Sequence, residues 1–286
     1  MSASRPLLVA VAGTLVLGAG KLAAAIVTGS HAVLASALDS LADAGVSLVN
    51  LLLARAAARP PDDDHPFGHG KAEAIAALVQ GLVLSALAVA IAVSAVARLV
   101  HGALPPQSVL ATAAIGVSMV GSFLISRHLM AAADATGSLV LRADATHYRM
   151  DLYSGAGVLV ALGFGTWVND ARPDAIASLA VCVLIGKDVV GLVREAVDEL
   201  MDKALPSDQE QAMRAVLAGF EQQIRSYHAL RGRKVGPVTF VQVHVVMDPD
   251  LTIREAHHIT DEIEEAFRRR FAPADVIVHA DADDDS

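Results

Sequence analysis

Residues 34–55, LASALDSLADAGVSLVNLLLAR, decide how this chain is read. The stretch is long and apolar enough to lie in hydrocarbon, yet it carries Asp39 and Asp43. A carboxylate at a bilayer centre costs about 2.5–3.5 kcal/mol on insertion scales. Two of them, four residues apart on a helix, project from one face. Ionisable groups at that depth mark functional sites by default. The bland alternative for one such pair is polar contact between helices, or an end residue snorkelling to the interface.

Composition places the whole chain in the same environment. Of 286 residues, 54% are hydrophobic and 19% charged, with a mean hydropathy of +0.49. Soluble chains carry nearer a quarter charged residues, so this is a membrane protein with a soluble part. The net charge of -9 is concentrated late, ending in DADDDS at 281–286. That argues against nucleic acid, which requires basic patches. The single cysteine, Cys182, excludes an intramolecular disulfide. PLLVAVAGTLVLGAGKLAAAIV, residues 6–27, is long for a signal peptide and is followed by further spans, so it reads as an uncleaved first helix.

About 20 apolar residues span a bilayer as a helix. Six segments qualify, at 6–28, 32–55, 72–100, 107–131, 139–168 and 174–200. The third and fourth are rich in Gly, Ala and Ser, which lets helices approach closely. With the N-terminus inside, the inner segments carry Arg5, Arg55, Arg59, Lys71, Arg127 and Arg142, and the outer loops only Arg98 and Arg172. The positive-inside bias therefore predicts a cell-membrane protein with both termini cytoplasmic. Trp167 falls near the outer end of the fifth span, where an aromatic anchor is expected.

After MDKALPSD the composition changes. Residues 1–203 read as a six-helix membrane domain and 204–286 as a small soluble α+β domain. SDQEQAMRAVLAGFEQQI (207–224) has a helical start and period, and LTIREAHHITDEIEEAFRRRF (251–271) is amphipathic. VTFVQVHVVM (238–247) alternates, with Val241, Val243 and Val245 on one face, and ADVIVHAD (274–281) is a closing strand. Helix, strand pair, helix and strand predict helices on one face of a sheet.

Three constellations carry chemistry. The fifth span contains RADATHYRMDLYSG (142–155), in which His147 and Asp151 repeat the spacing of Asp39 and Asp43. Two helices offering two ligands each supply the four donors a tetrahedral divalent metal takes. Three carboxylates and a neutral imidazole sum to -3, which cannot stay fully ionised in a low dielectric, so the empty site must hold protons. Metal needs deprotonated ligands and displaces them. Exchange of metal for protons follows. The second constellation is DDDHPFGHGK (62–71), where Asp62, His65 and His69 are spaced by three and four; a solvated acidic loop is the alternative. The third is the histidine set of the soluble domain. His244 lies opposite the valines, His279 and Asp281 share a strand face, and His228, His257 and His258 lie elsewhere; these read equally as surface residues.

ALDSLADA, DDDHPFGHGKAE, DATHYRMD and DVIVHAD, in that order along nearly the whole chain, resemble the cation diffusion facilitator family of metal/proton antiporters, and most of all its bacterial ferrous-iron and zinc efflux branch. The resemblance implies a homodimer with six transmembrane helices per protomer and a cytoplasmic ferredoxin-like, metallochaperone-like domain. It implies a transport site of Asp39, Asp43, His147 and Asp151, a loop site of Asp62, His65 and His69, and a cytoplasmic binuclear site drawing on His228, His244, His257, His279 and Asp281. His258 has no counterpart. Of the loop aspartates, Asp62 is preferred to Asp63 and Asp64. Lys71 and Asp202 match a charge interlock at the dimer interface; facing headgroups or water is the alternative.

The expectation is a secondary transporter in the inner membrane, exporting Zn(II), with Fe(II) and Cd(II) as alternatives, against protons. No cofactor is expected beyond the transported and structural metal. Three carboxylates and one histidine suit these ions and extend to Mn(II). No G-x-x-x-x-G-K-[ST] loop is present, which argues against a primary pump, and no H-E-x-x-H, which argues against a metal hydrolase. A metal sensor using only the soluble domain would leave the buried carboxylates without purpose.

Overall fold

The computed structural model describes residues 3–101, 109–168 and 172–282. The side chains of Arg98, Trp167 and Arg172, and the tail aspartates 283–285, lie outside the described residues. The chain divides into two compact units, 1–197 and 198–286.

The first unit is built from α1 (Ser4–Thr28), α2 (His31–Ala57), α3 (Ala72–His101), α4 (Val109–Thr136), α5 (Leu139–Val168) and α6 (Arg172–Leu200). Five of these are long and apolar enough to cross a membrane. The exception by composition is α5. At 30 residues it has the length of a span, but Arg142, Asp144, His147, Arg149 and Asp151 crowd its first half. Those groups are sheltered by neighbours, since α5 packs against α2, α3 and α4. The bare surfaces of the other helices are apolar, as at Val16, Val27 and Val93, which suits hydrocarbon.

Two helical hairpins organise this unit. α1 ends at Gly29, whose positive φ of 64° returns its N–H to Ala25, and Ser30 caps the next helix by accepting from the Val33 N–H. Gly137 (φ 70°) plays the same part between α4 and α5, with its N–H on the Ala133 carbonyl. A residue without Cβ adopts this left-handed C-cap at no steric cost. Short links of this kind make α1/α2 and α4/α5 antiparallel neighbours. The core between them contains Leu7, Leu51, Leu129, Leu141 and Tyr148. A second cluster, Leu84, Met150, Ile185 and Val189, joins α3, α5 and α6.

The second unit runs α7 (Ser207–Ala218), β1 (Ser226–Val235), β2 (Val238–Val246), α8 (Ile253–Phe271) and β3 (Ala274–Asp281). The sheet order is β1-β2-β3, with β1/β2 antiparallel and β2/β3 parallel. Val241, Val243 and Val245 are buried, together with Met213 and Leu217 of α7, Ile263 and Phe267 of α8, and Val276 of β3. Period-two alternation on β2 and a 3.6-residue stripe on α8 thus share one core. Thr252 and Glu255 close α8 with a reciprocal capping box. Arg268, Arg269 and Arg270 fill its last turn, where the helix dipole favours cations.

Candidate metal centres

Asp43 falls midway along α2, and His147 and Asp151 lie one turn apart on α5. Their ligand atoms all come within 4.8 Å of one another. His147 Nε2 stands 3.0 Å from Asp43 Oδ1 and 3.7 Å from Asp151 Oδ2. All three are half-buried. Among the described residues, Asp151 Oδ2 is a buried oxygen without a hydrogen-bond partner. Such orphans are rare in folded proteins, and here the orphan belongs to a carboxylate–imidazole set whose atoms converge within the reach of one cation. Asp39, one turn earlier on α2, is exposed and stands outside this group. Four residues on a 3.6-residue helix leave it rotated by about 40°.

A polar network that the sequence did not reveal lies one turn along from these residues. The buried Asp144 carboxylate accepts from Ser47 Oγ (2.9 and 3.1 Å) and from Asn50 Nδ2 (3.0 Å). Ser47 Oγ also meets the Tyr148 hydroxyl at 2.7 Å. Asn50 donates to Gln80 of α3 at 2.9 Å, and Gln80 donates to the Ala143 carbonyl. The network ties α2, α3 and α5 together at the level of Asp43 and His147, and a fully satisfied buried network fixes geometry. The available signal was periodicity: Ser47 and Asn50 continue the stripe of Asp39 and Asp43, and Asp144 precedes His147 by three. Nearer the start of α2, the buried Lys21 of α1 donates to Ser40 Oγ at 2.7 Å.

The loop between α2 and α3 gathers Asp62, His65 and His69. Asp62 Oδ1 receives the His65 backbone N–H at 2.7 Å and faces His65 Nδ1 at 3.3 Å, while Oδ2 faces His69 Nε2 at 3.3 Å. The His65 backbone N–H is the main cause that holds the exposed Asp62 carboxyl below its ordinary range. Gly68 (φ 81°) makes the turn that brings His69 back, and Gly68 N–H bonds the His65 carbonyl. His69 Nδ1 is buried without a hydrogen-bond partner among the described residues. Asp63 and Asp64 stand outside the cluster.

In the second unit, strand register does the gathering. His228 pairs opposite His244 across β1/β2, and His244 opposite His279 across β2/β3. Three histidines therefore form a row across the sheet, with ring centroids 5.1 and 4.8 Å apart. Asp281, two residues beyond His279 on the same face, reaches all of them. Its Oδ2 lies 3.1 Å from His228 Nε2 and 3.0 Å from His244 Nδ1, and its Oδ1 lies 3.1 Å from His279 Nε2. Burial works against ionisation of Asp281, but the His244 hydrogen bond and the adjacent imidazoles outweigh it and hold the carboxyl below its usual range. His257 and His258 are exposed on α8, beside Asp261 (3.6 Å) and Glu262 (3.5 Å), and stand outside the row. Asp202 Oδ2 accepts from Arg233 Nη1 at 2.6 Å.

Residues 7–201 match the cation efflux transmembrane domain, and residues 205–283 match the cation efflux protein, cytoplasmic domain. The chain is 38% identical over 259 residues to the cation-efflux pump FieF of Pectobacterium atrosepticum, with 89% of this chain and 84% of that one covered. It is 37% identical over 259 residues to FieF of Klebsiella pneumoniae and 35% identical over 254 residues to FieF of Escherichia coli, at the same coverage.

Proposed function

The chain belongs to the cation efflux family and is a transporter, not an enzyme; from that premise we propose that it exports Zn(II) from the cytoplasm in exchange for protons, with Fe(II) and Cd(II) as alternative cargo. The observation that carries this reading is the meeting of Asp43, His147 and Asp151 inside a helix bundle, with an orphaned Asp151 oxygen among them. Carboxylates and one imidazole are hard to borderline donors, which suit these divalent ions and no soft monovalent one. Because metal requires deprotonated ligands, arrival of metal expels the protons the empty set holds. Asp39 completes the set as the fourth ligand by a small rotation of α2.

In this reading residues 1–203 form the transport domain and residues 204–286 a cytoplasmic domain through which two protomers dimerise. Both termini face the cytoplasm of a bacterial inner membrane. His228, His244, His279 and Asp281 hold structural metal there, with His257 contributed from α8. Asp62, His65 and His69 hold a further ion. Lys71 and Asp202 act as a charge interlock between protomers, Asp202 sharing its carboxylate with Arg233.

Uptake into inside-out vesicles, with a panel of metals, tests the proposal. Zinc entry is expected to need an acidic interior and to move protons outward. Flux unchanged by collapsing the pH gradient, with no proton counterflow, rules out the exchange.

A further inference from the structure

Lys21 lies well inside α1 and is only 7% exposed. Its Nζ donates to Ser40 Oγ (2.7 Å) and the Ser36 carbonyl (3.5 Å) of α2, and to Ser118 Oγ of α4. Ser118 spends its own proton on the Ala114 carbonyl at 3.0 Å, so towards Lys21 it can only accept. An ammonium has three donors and no acceptor. Three oxygens receive them, so a charged lysine has a partner for every N–H. Ser36, Ser40 and Asp43 follow one another at spacings of four and three on α2, so the serines hold the ammonium beside the ligand stripe. Burial disfavours its charge, and Asp43, Asp39 and Asp151 favour it. Its hydrogen-bond partners are nonetheless serine oxygens, and the described ion pairs of Asp43 and Asp151 go to His147.

We propose that Lys21 sets the affinity of the membrane metal site, holding a fixed positive charge on serines beside the ligand stripe so that a divalent ion binds loosely enough to leave. This rests on the reading of Asp43, His147 and Asp151 as the transport site. Three carboxylates around a divalent ion in low dielectric form a trap unless something opposes them, because Coulomb attraction there is only weakly screened. A transport site must bind strongly enough to load and weakly enough to unload. A cation that touched the carboxylates would compete for their oxygens. A cation held back by serines repels the cargo without occupying its place.

Full-length protein in proteoliposomes separates this from a tether between helices. Lys21→Gln removes the charge and keeps a hydrogen-bond donor, Lys21→Met removes both, and Lys21→Arg keeps the charge. Loss of charge is expected to lower the zinc KM on the order of tenfold and to lower maximal turnover with it, in both Gln and Met. Arg is expected to behave as wild type. If Gln behaves as wild type while Met raises KM or fails to fold, Lys21 is a tether and the proposal is overturned. A KM that Gln leaves unchanged or raises also overturns it. Asp151→Ala, assayed alongside, reports on the site reading by itself: wild-type transport in that variant removes the site, whatever Lys21 does.

Discussion

Two histidine–carboxylate centres in this chain are built by opposite means. In the membrane unit, ligands four apart on α5 meet a ligand of α2, and the set exists only while separate helices hold their packing. In the soluble unit, His228, His244 and His279 occupy one level of three hydrogen-bonded strands, so the backbone ladder fixes their spacing. The membrane set is half-buried, and a polar network and a buried lysine stand behind it. The sheet set is open: His279 is exposed, and a single carboxylate links the row. A centre that depends on helix packing can be remade by moving helices, which suits a passing ion. A centre printed on a sheet cannot, which suits a resident one.

The largest test of this contrast removes a ligand from each side. Asp151→Ala is expected to reduce vesicle transport to background, while zinc binding by the soluble domain persists. The mutant should insert normally, because α5 becomes more apolar. His279→Ala is expected to bind less zinc in total and keep partial transport. Near wild-type transport by Asp151→Ala breaks the comparison, since the aspartate would then be structural.

Next in size is the isolated domain. Residues 204–286 have their own core, and calorimetry is expected to find more than one zinc per protomer and tighter dimerisation with metal. His244→Ala, at the centre of the row, should weaken zinc beyond the roughly 10–100-fold typical of losing a group that only hydrogen-bonds a metal ligand. His257→Ala should weaken it less. Absence of zinc binding by the wild-type domain reduces the row to surface histidines.

A smaller effect sharpens the packing side. Gly155 lies one turn beyond Asp151, and a Cβ there would sit 2.7 Å from Met119 Cγ of α4. Gly155→Val is expected to cost about 1–3 kcal/mol by overpacking, read as a lower melting temperature in detergent, with reduced transport. Zinc binding by the soluble domain should not change. A melting temperature equal to wild type would show that α4 and α5 need no such close approach.

The smallest effect concerns acid. Asp281 is held below its usual range in the folded domain. A depressed carboxyl contributes stability above its unfolded value, near about 3.9, and loses it as pH falls through the folded value. Metal-free 204–286 should therefore lose urea resistance below that range more steeply than Asp281→Asn. Parallel pH profiles for the two would remove the carboxylate's role in joining the row.

Much of this architecture could be read from the residues. The bounds of α5, 139–168, coincide with the apolar segment, and Gly29 and Gly137 mark the hairpins. α4 runs to Thr136, five residues past its expected end, because AAADAT lacks apolar weight but keeps helix formers up to the left-handed Gly137. α7 stops at Ala218 rather than 224, where Gly219 takes the C-cap position. The spacings of His147 and Asp151 on α5 and of His279 and Asp281 on β3 were legible because each element has a fixed period, whereas on α2 the same spacing leaves Asp39 exposed and outside the group. The row of histidines was not, since the pairing of β2 with β3 across α8 is a long-range fact. Lys21 and Asp144 escaped for a related reason. Each is an ordinary polar letter until its partners on other helices are known.

The histidine row has a consequence for how the sheet is made. Side chains alternate along a strand, so a slip of one residue between β2 and β3 would turn His279 into the core and bring Val278 or Ala280 to the open face. Only the correct alignment presents the imidazoles side by side. Metal that binds this alignment alone deepens it over every misaligned competitor by mass action. An ion held by the row would serve as a proofreader of strand pairing: zinc present during refolding of the soluble domain should raise the yield of native sheet, and His279→Ala should forfeit that benefit.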